Sequence, residues 1–276
     1  MRRSLTQSSK PRLDECTVPR DSACMSPTPL VAALLIGSLV ALIAAAPTGV
    51  LQETKSTVKS ALPKPPSSVV PVARTEEGSS AREAELILRV KEGGTANVVF
   101  VGDSITQAWN DPGKAAWDAQ LAPLDALNLG NSGDRTEHVL YRLTAAPLTR
   151  LKPKHVVLLI GTNNLGHGTS TVEETLLGVT AVAQLLGAQC PDAVIHIIEI
   201  FPRGDHMNPM RGEACQINQA LRTLVREGNS RYAIHAIGDA FVSRDGTISK
   251  DFMPDSLHLT PKAYAMWATA LVPLLK

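Results

Sequence analysis

Five short apolar runs, spaced along residues 97 to 238, set the strongest limit on how this chain can fold. The runs are NVVFVG (97–102), LDALNLG (124–130), HVVLLIG (155–161), AVIHIIEI (193–200) and YAIHAIG (232–238). A strand that is apolar at nearly every position is buried on both faces, which is typical of a parallel sheet covered by helices. Segments with helical periodicity lie before, between and after the runs, near 81–94, 136–146, 171–188, 211–228 and 261–275. The alternation predicts one three-layer α/β domain over residues 81–276 with a five-stranded parallel sheet.

An uncharged stretch near the N-terminus indicates a targeting or anchoring segment. Residues 30–46, LVAALLIGSLVALIAAA, are 17 consecutive residues without a charge, and several Lys and Arg residues precede them. The stretch is either the apolar region of a signal peptide or a single short membrane anchor. Pro47 disfavours cleavage after the small residues 44–46, whereas a helix of this length, at about 1.5 Å per residue, falls short of a roughly 30 Å hydrocarbon core. Both alternatives stay open.

The orientation of the chain follows from the same segment. Because basic flanks stay in the cytoplasm, we expect residues 1–46 to be a leader that exports the rest of the chain. The α/β domain would then be periplasmic, extracellular, or held outside the cell by the anchor. Residues 47–80 are rich in proline, serine and lysine and predict a disordered linker.

Cysteine spacing and charge exclude several classes of protein. Cys16, Cys24, Cys190 and Cys215 form neither a C-x-x-C pair nor a zinc-finger spacing, so no metal site is indicated. Cys190 and Cys215 are either buried free thiols or, in an oxidising compartment, a disulfide. Residues 82–276 carry eighteen Lys and Arg against twenty Asp and Glu. With so little basic charge and few aromatic residues, the domain is not expected to bind nucleic acid.

Small and polar residues follow the predicted strands at the points where the strands end. The first run leads into Gly102-Asp103-Ser104, the second into residues 128–134 and the third into 161–164. Asp255 and His258 stand three residues apart just before the last helix. The carboxyl ends of parallel strands form the ligand-binding edge of an α/β sheet, so we expect these residues to meet there.

This set of residues suits acyl transfer by an activated serine. A serine hydroxyl needs a base to take its proton, and the base needs an acid to orient its ring. Asp255 and His258 can supply that pair for Ser104. The backbone N–H groups of Ser104 and Gly133 and the side-chain amide of Asn163 can supply the donors that a developing oxyanion requires. The structural alternative is that Ser104 only caps the helix that follows it.

Four sequence blocks resemble those of the GDSL-type SGNH hydrolases, in the same order. The blocks are VFVGDSIT, NLGNSGDRTEHVLYRL, VVLLIGTNN and DSLHLT, and the resemblance spans residues 95–276. Within that family the chain is most similar to the beta/gamma-type catalytic subunits of platelet-activating factor acetylhydrolases. The resemblance implies a flavodoxin-like fold without metal or cofactor, a homodimer, Ser104 as nucleophile, His258 as base and Asp255 as its partner. It also implies an oxyanion hole formed by Ser104, Gly133 and Asn163.

The expected function is a serine esterase that removes short acyl groups, acetyl above all, from a small-molecule or carbohydrate ester. Ile105 replaces the leucine of the family motif, and the exported leader departs from the cytosolic animal subunits, so a lipid-mediator substrate is not carried over. The blocks are not separated by a long apolar insertion, which predicts a shallow, open pocket. The alternatives are a non-catalytic relative, or an exported domain that binds nucleotide or phosphate. The second lacks both G-x-G-x-x-G and a P-loop lysine.

Overall fold

The computed structural model describes residues 64–227 and 231–276 of the 276-residue chain. The predicted leader (1–46), the first part of the predicted linker (47–63), Cys16 and Cys24 lie outside the described residues. In the described part of the chain, no helix combines the length and the apolar character needed to cross a bilayer.

The described residues form one parallel sheet with the strand order β2-β1-β3-β4-β5. The strands are β1 Val98–Gly102, β2 Ala126–Gly130, β3 His155–Leu159, β4 Val194–Ile198 and β5 Tyr232–His235. The order is flavodoxin-like, and the direction of winding reverses beside β1, where ligands bind in such sheets. The predicted α/β fold with five parallel strands is therefore confirmed. Each strand is shorter than its apolar run, because the run continues into the loop at one or both ends.

Helices cover both faces of the sheet. They are α1 Glu77–Glu92, α2 Ser104–Gln107, α3 Lys114–Ala116, α4 Thr136–Ala145, α5 Thr162–Gly166, α6 Val172–Gln189, α7 Pro209–Glu227 and α8 Pro261–Leu271. Short 3-10 or π turns lie at Ser67–Val69, Ala108–Asn110, Trp117–Leu121, Ala122–Leu124, Leu148–Arg150, Ile237–Phe241 and Val272–Leu275.

Successive residues of β1 point into two separate cores, as the period of a strand requires. Val99 and Val101 pack in a core with α1, α4, α6 and α7, whereas Val98 and Phe100 pack in a second core with α8 and the turns that follow α2. Trp109 and Trp267 are fully buried in the second core. The three layers hold the carboxyl ends of β1, β2 and β3 at one edge.

Residues 64–80 were predicted to be part of a disordered linker, but in the structure they fold against the domain. Ser68 is fully buried; its hydroxyl donates to the Glu174 carbonyl at 2.6 Å, and its carbonyl accepts from the Thr136 hydroxyl at 2.8 Å. The Arg74 side chain is buried as well. We call residues 66–76 the N-terminal strap. Proline and serine content favours disorder in general, but here polar side chains find buried partners that lie far away in the sequence, so the folded domain begins before residue 81.

The two cysteines of the described part of the chain are free thiols. Cys190 is buried and Cys215 is exposed. The alternative of a disulfide between them is therefore excluded, and the prediction of buried thiols is correct for Cys190 only. Burial raises the pKa of the Cys190 thiol to about 11, so it behaves as a small apolar side chain of the core.

Candidate active site

Ser104 lies at the sharp transition from β1 to α2. Asp103 is the N-cap of α2, and its carboxylate accepts a hydrogen bond from the Ile105 N–H at 3.0 Å. The start of α2 also lies close to the end of β2: a Cβ atom on Gly130 would stand 2.3 Å from the Gln107 backbone nitrogen. Only glycine permits this approach, which fixes Ser104, half-buried, at the carboxyl edge of the sheet.

Three side chains of the predicted site form a hydrogen-bonded chain. Ser104 Oγ lies 3.0 Å from His258 Nε2, and His258 Nδ1 lies 2.6 Å from Asp255 Oδ2. The other carboxylate oxygen of Asp255 accepts the backbone N–H groups of Leu257 at 3.0 Å and His258 at 2.7 Å. Asp255 is thus held on its own loop and in turn holds the imidazole ring towards Ser104.

The electrostatics of Asp255 suit this arrangement. Partial burial acts to raise the pKa of its carboxyl, but hydrogen bonds from the His258 ring and from the backbone of His258 and Leu257 outweigh burial, and the pKa lies below its ordinary value. The side chains of His258 and Asp255 are 42% and 54% exposed. The pair therefore faces solvent at an open edge.

The loop after β4 supports the loop that carries the pair. Ser256 directly follows Asp255 in this loop and has a φ of +64°. Its hydroxyl donates a hydrogen bond to the Asp205 carboxylate. The Gly204 N–H donates to the Ser256 carbonyl at 2.8 Å. Arg211, in the first turn of α7, is buried and donates to the carbonyls of Arg203, Gly204 and Gly246. These contacts of Arg211 were not predicted from the sequence.

The second and third sequence blocks meet at the same edge. The Asn131 N–H donates to the Gly102 carbonyl at 3.1 Å, which joins the loop after β2 to the end of β1. Gly133 in that loop has φ of +75°, a conformation that favours glycine. Asn163, buried in α5, donates from its side-chain amide to the Asp134 carbonyl at 2.9 Å. Since an amide nitrogen carries two N–H groups, this bond leaves one donor for a ligand.

A buried ion cluster under this loop was not predicted from sequence. The Asp134 carboxylate is fully buried between two guanidinium groups: Oδ1 lies 3.0 Å from Arg74 Nη1, and Oδ2 is bonded to Arg142 Nη1. Burial lowers the pKa of Arg142 to about 10, yet the group stays charged near neutral pH. Asp134 and Arg142 lie within one sequence block, but Arg74 lies 60 residues before Asp134, and no sequence pattern connects the two.

Asp103 is the most electrostatically unusual group at the site. Its side chain is 0% exposed, and its Oδ2 atom finds no hydrogen-bond partner among the described residues. Burial raises the pKa of the carboxyl to about 7, although the Ile105 N–H and the charges of His258 and Arg203 act to lower it.

A parallel α/β sheet with a Ser-His-Asp chain at its carboxyl edge defines a class of serine hydrolases. Residues 100–266 match the GDSL-like Lipase/Acylhydrolase family. The chain belongs to that family and is an ester-hydrolysing enzyme.

A curated relative agrees with this assignment in sequence, and two solved structures agree with the fold. The human platelet-activating factor acetylhydrolase IB subunit alpha1 is 39% identical over 178 residues, which cover 64% of this chain and 74% of that protein. A GDSL-like lipase from Bacteroides thetaiotaomicron superposes with a TM-score of 0.60 at 15% identity, over 71% of this chain and 97% of that one. An acetylxylan esterase from Geobacillus stearothermophilus, solved as a catalytic mutant, superposes with a TM-score of 0.51 at 16% identity, over 66% and 95%. The two structural likenesses concern the fold.

Proposed function

We propose that the protein is a serine esterase that removes short acyl groups, acetyl above all, through Ser104, His258 and Asp255. The observation that carries this proposal is the chain of contacts from Ser104 Oγ to His258 Nε2 at 3.0 Å and from His258 Nδ1 to Asp255 Oδ2 at 2.6 Å. These distances lie within the hydrogen-bond range in which a base can take the proton of a nucleophile.

In the proposed mechanism, Asp255 accepts a hydrogen bond from the Nδ1–H group of His258, so the proton stays on Nδ1 and the free lone pair lies on Nε2. Nε2 takes the hydroxyl proton as Ser104 Oγ attacks the ester carbonyl, and it then gives that proton to the departing alcohol. Water hydrolyses the resulting acyl-serine by the same proton transfers in reverse order. The N–H groups of Ser104 and Gly133 and the Asn163 amide are the proposed donors to the oxyanion. Activity should fall in acid, because a protonated His258 cannot accept the serine proton.

The acyl group is proposed from two independent features. The names of a sequence relative, the acetylhydrolase subunit, and of a structural relative, the acetylxylan esterase, both specify acetyl, whereas their alcohols differ. Three of the loops that leave the sheet at the site are also short: one residue joins β1 to α2, five join β2 to α4 and two join β3 to α5. Loops of this length favour a shallow pocket over a long acyl channel.

The alcohol is proposed to be a small polar molecule or a carbohydrate. The exposed His258 and Asp255 leave room for a hydrophilic leaving group, and the basic, apolar leader is the basis of our proposal that the domain is exported. Fusing residues 1–80 to a reporter phosphatase that is active only outside the cytoplasm tests the export. Reporter activity confined to the cytoplasm would contradict it.

Replacing Ser104 by alanine tests the proposed nucleophile. We expect kcat on p-nitrophenyl acetate to fall by about a thousandfold or more, because a triad acts as a unit. Ser132→Ala is the matched control, since that exposed serine lies on the neighbouring loop and contributes its backbone, not its hydroxyl, to the site. A loss of less than tenfold in Ser104→Ala would refute the assignment. A fluorophosphonate probe should label the wild type and Ser132→Ala but not Ser104→Ala.

A substrate panel tests the acyl and alcohol preferences. Rates should decline from acetate to butyrate to octanoate esters of the same phenol, and acetylated xylo-oligosaccharides should be better substrates than acetylated choline lipids. Rates that rise towards octanoate would contradict the shallow pocket. Preference for the choline lipid would replace the carbohydrate proposal with a lipid one.

A further inference from the structure

One side chain outside all four sequence blocks contacts three consecutive residues of the loop that carries Gly133. Arg74 Nη1 donates to the Ser132 carbonyl at 2.9 Å and to Asp134 Oδ1 at 3.0 Å. A Cβ atom on Gly133 would stand only 3.1 Å from Arg74 Nη2. The guanidinium group therefore lies directly against Gly133 and is bonded to the residues on both sides of it.

The bond to Ser132 matters because of which peptide group it involves. The Ser132 carbonyl and the Gly133 N–H are the two ends of one planar trans peptide unit, so they point in opposite directions. Holding the carbonyl towards Arg74 turns the N–H away from Arg74, to the opposite side of the loop. The Ser79 hydroxyl donates to the same carbonyl at 3.2 Å. Hydrogen bonding of a carbonyl to a cation also polarises the peptide and strengthens its N–H as a donor.

This peptide unit needs such restraint. Gly133 has φ of +75°, and a glycine has wide freedom of rotation about its backbone bonds. Ser132 is exposed at the surface of the loop, so packing of its side chain contributes little. A rotated peptide would remove the N–H from the oxyanion without disturbing the triad.

Arg74 is itself firmly held. Its side chain is only 6% exposed, its backbone N–H donates to the Glu83 carboxylate at 3.1 Å, and its Nε donates to Glu76 at 3.0 Å. Asp134 is bound from its other oxygen by Arg142. The N-terminal strap thus delivers a fixed cation to the oxyanion loop, rather than a mobile surface charge.

We propose that Arg74 is a positioning residue for the oxyanion hole: by fixing the Ser132–Gly133 peptide, it aims the Gly133 N–H at the reacting carbonyl. This inference rests on the proposed function of Ser104 and Gly133. The N-terminal strap, which contains no sequence motif, would then contribute to the rate of ester hydrolysis. Arg74 would thus act through this peptide rather than on the reacting atoms themselves.

The test compares Arg74→Ala, Arg74→Lys and Ser79→Ala in the full chain. Loss of one oxyanion donor costs about 100- to 1,000-fold in kcat, so its misalignment in Arg74→Ala should cost about 10- to 100-fold, with KM changed by less than about threefold. Lysine can reach one acceptor but cannot form the planar fork, so Arg74→Lys should be intermediate. Ser79→Ala, which removes only one bond to the carbonyl, should lose about two- to fivefold.

Two further readouts separate positioning from plain structural support. Affinity for a boronic acid, which forms a tetrahedral adduct on the serine, should fall in Arg74→Ala in parallel with kcat/KM. The pH dependence of kcat/KM should keep its shape, because the His258–Asp255 pair is untouched. Arg89→Ala, which removes an α1 arginine bonded to the Gly93 carbonyl, and Thr171→Ala, which weakens α6, are the controls; both should keep wild-type kcat below their melting temperatures.

The outcomes are distinct. Arg74→Ala with kcat within twofold of the wild type overturns the inference and leaves the proposed function intact. Losses of activity that follow melting temperature equally in Arg74→Ala and Thr171→Ala also overturn it. If Arg74→Ala does not fold, Arg74→Lys and Ser79→Ala decide by the same criteria. A wild type whose hydrolysis does not depend on Ser104 refutes the proposed function and the inference with it.

Discussion

Replacing Asp103 by asparagine should remove a large part of the pH dependence of stability between about pH 5 and pH 8. Asp103 is fully buried directly before Ser104, and only one of its carboxylate oxygens is hydrogen-bonded within the described residues. Asparagine keeps the shape of the side chain and the oxygen that accepts the Ile105 N–H. The substitution therefore removes the ionisation and leaves the helix cap in place.

The sign and size of the effect follow from the pKa of the buried carboxyl. Burial raises the pKa of Asp103 from 3.8 to about 7, so the native state keeps a proton that the unfolded chain has already released. The stability that this group contributes is complete below pH 3.8 and is lost as the pH rises through 7. At about 1.4 kcal/mol for each pH unit between the two pKa values, the whole effect is about 4 kcal/mol, of which about 3 kcal/mol falls between pH 5 and pH 8.

Urea or thermal unfolding at several pH values measures this directly. Over that interval the wild type should lose about 3 kcal/mol more stability than Asp103→Asn, or about 6 to 12 °C in melting temperature. The difference between the two proteins cancels the titration of every other group. Asp118→Asn, a change at an exposed residue paired with Lys114, is the control and should follow the wild-type curve. Parallel curves for the wild type and Asp103→Asn would refute a buried carboxyl that titrates near neutrality.

Two other substitutions give stability predictions. His196 lies 3.0 Å from a ring nitrogen of His155 and of His235, and burial, with the charges of His235 and His155, lowers its pKa from 6.5 to about 4. The stability that this group contributes is complete above pH 6.5 and is lost as the pH falls towards 4, so in urea titrations His196→Gln should lose about 2 to 3 kcal/mol less than the wild type between pH 7 and pH 4.5. An equal loss in the two proteins would contradict the assignment. Thr171→Ala removes one half of the capping box with Glu174 at the start of α6 and should cost about 1 kcal/mol of unfolding free energy, whereas an unchanged denaturation midpoint would show that the cap contributes nothing.

The sequence was sufficient where local pattern and chemistry coincide. Continuous apolar runs predicted the strands because both faces of the sheet are covered, and the ends of those runs located Ser104 and Asn163. Asp255 and His258 could be paired because they are near neighbours on one loop. The proposed roles of these residues stay predictions until the variants are assayed.

Sequence patterns did not predict contacts between segments that lie far apart in the chain, because such contacts produce no periodicity in the sequence. The strap has the composition of a linker, and its order depends on buried partners such as Glu174 and Thr136, which lie 106 and 68 residues from Ser68. Arg74 likewise gains its position from Asp134 and Ser132 rather than from its neighbours in sequence. A single sequence gives the type of each residue but not such pairings, so the site could be predicted while its support could not.

The sequence left two interpretations for Ser104, helix cap or nucleophile, and the structure places the cap on the residue before it. The N-cap of α2 is Asp103, whose carboxylate accepts the Ile105 N–H, while Ser104 is the first residue of the helix. The serine hydroxyl is thereby free of the capping bond and lies 3.0 Å from His258 Nε2. A carboxylate that caps a helix in the core must lose contact with water, and that burial raises the pKa of Asp103 to about 7. The pH-dependent stability expected of Asp103 is thus a physical consequence of leaving the Ser104 hydroxyl out of the cap, as its proposed role as nucleophile requires.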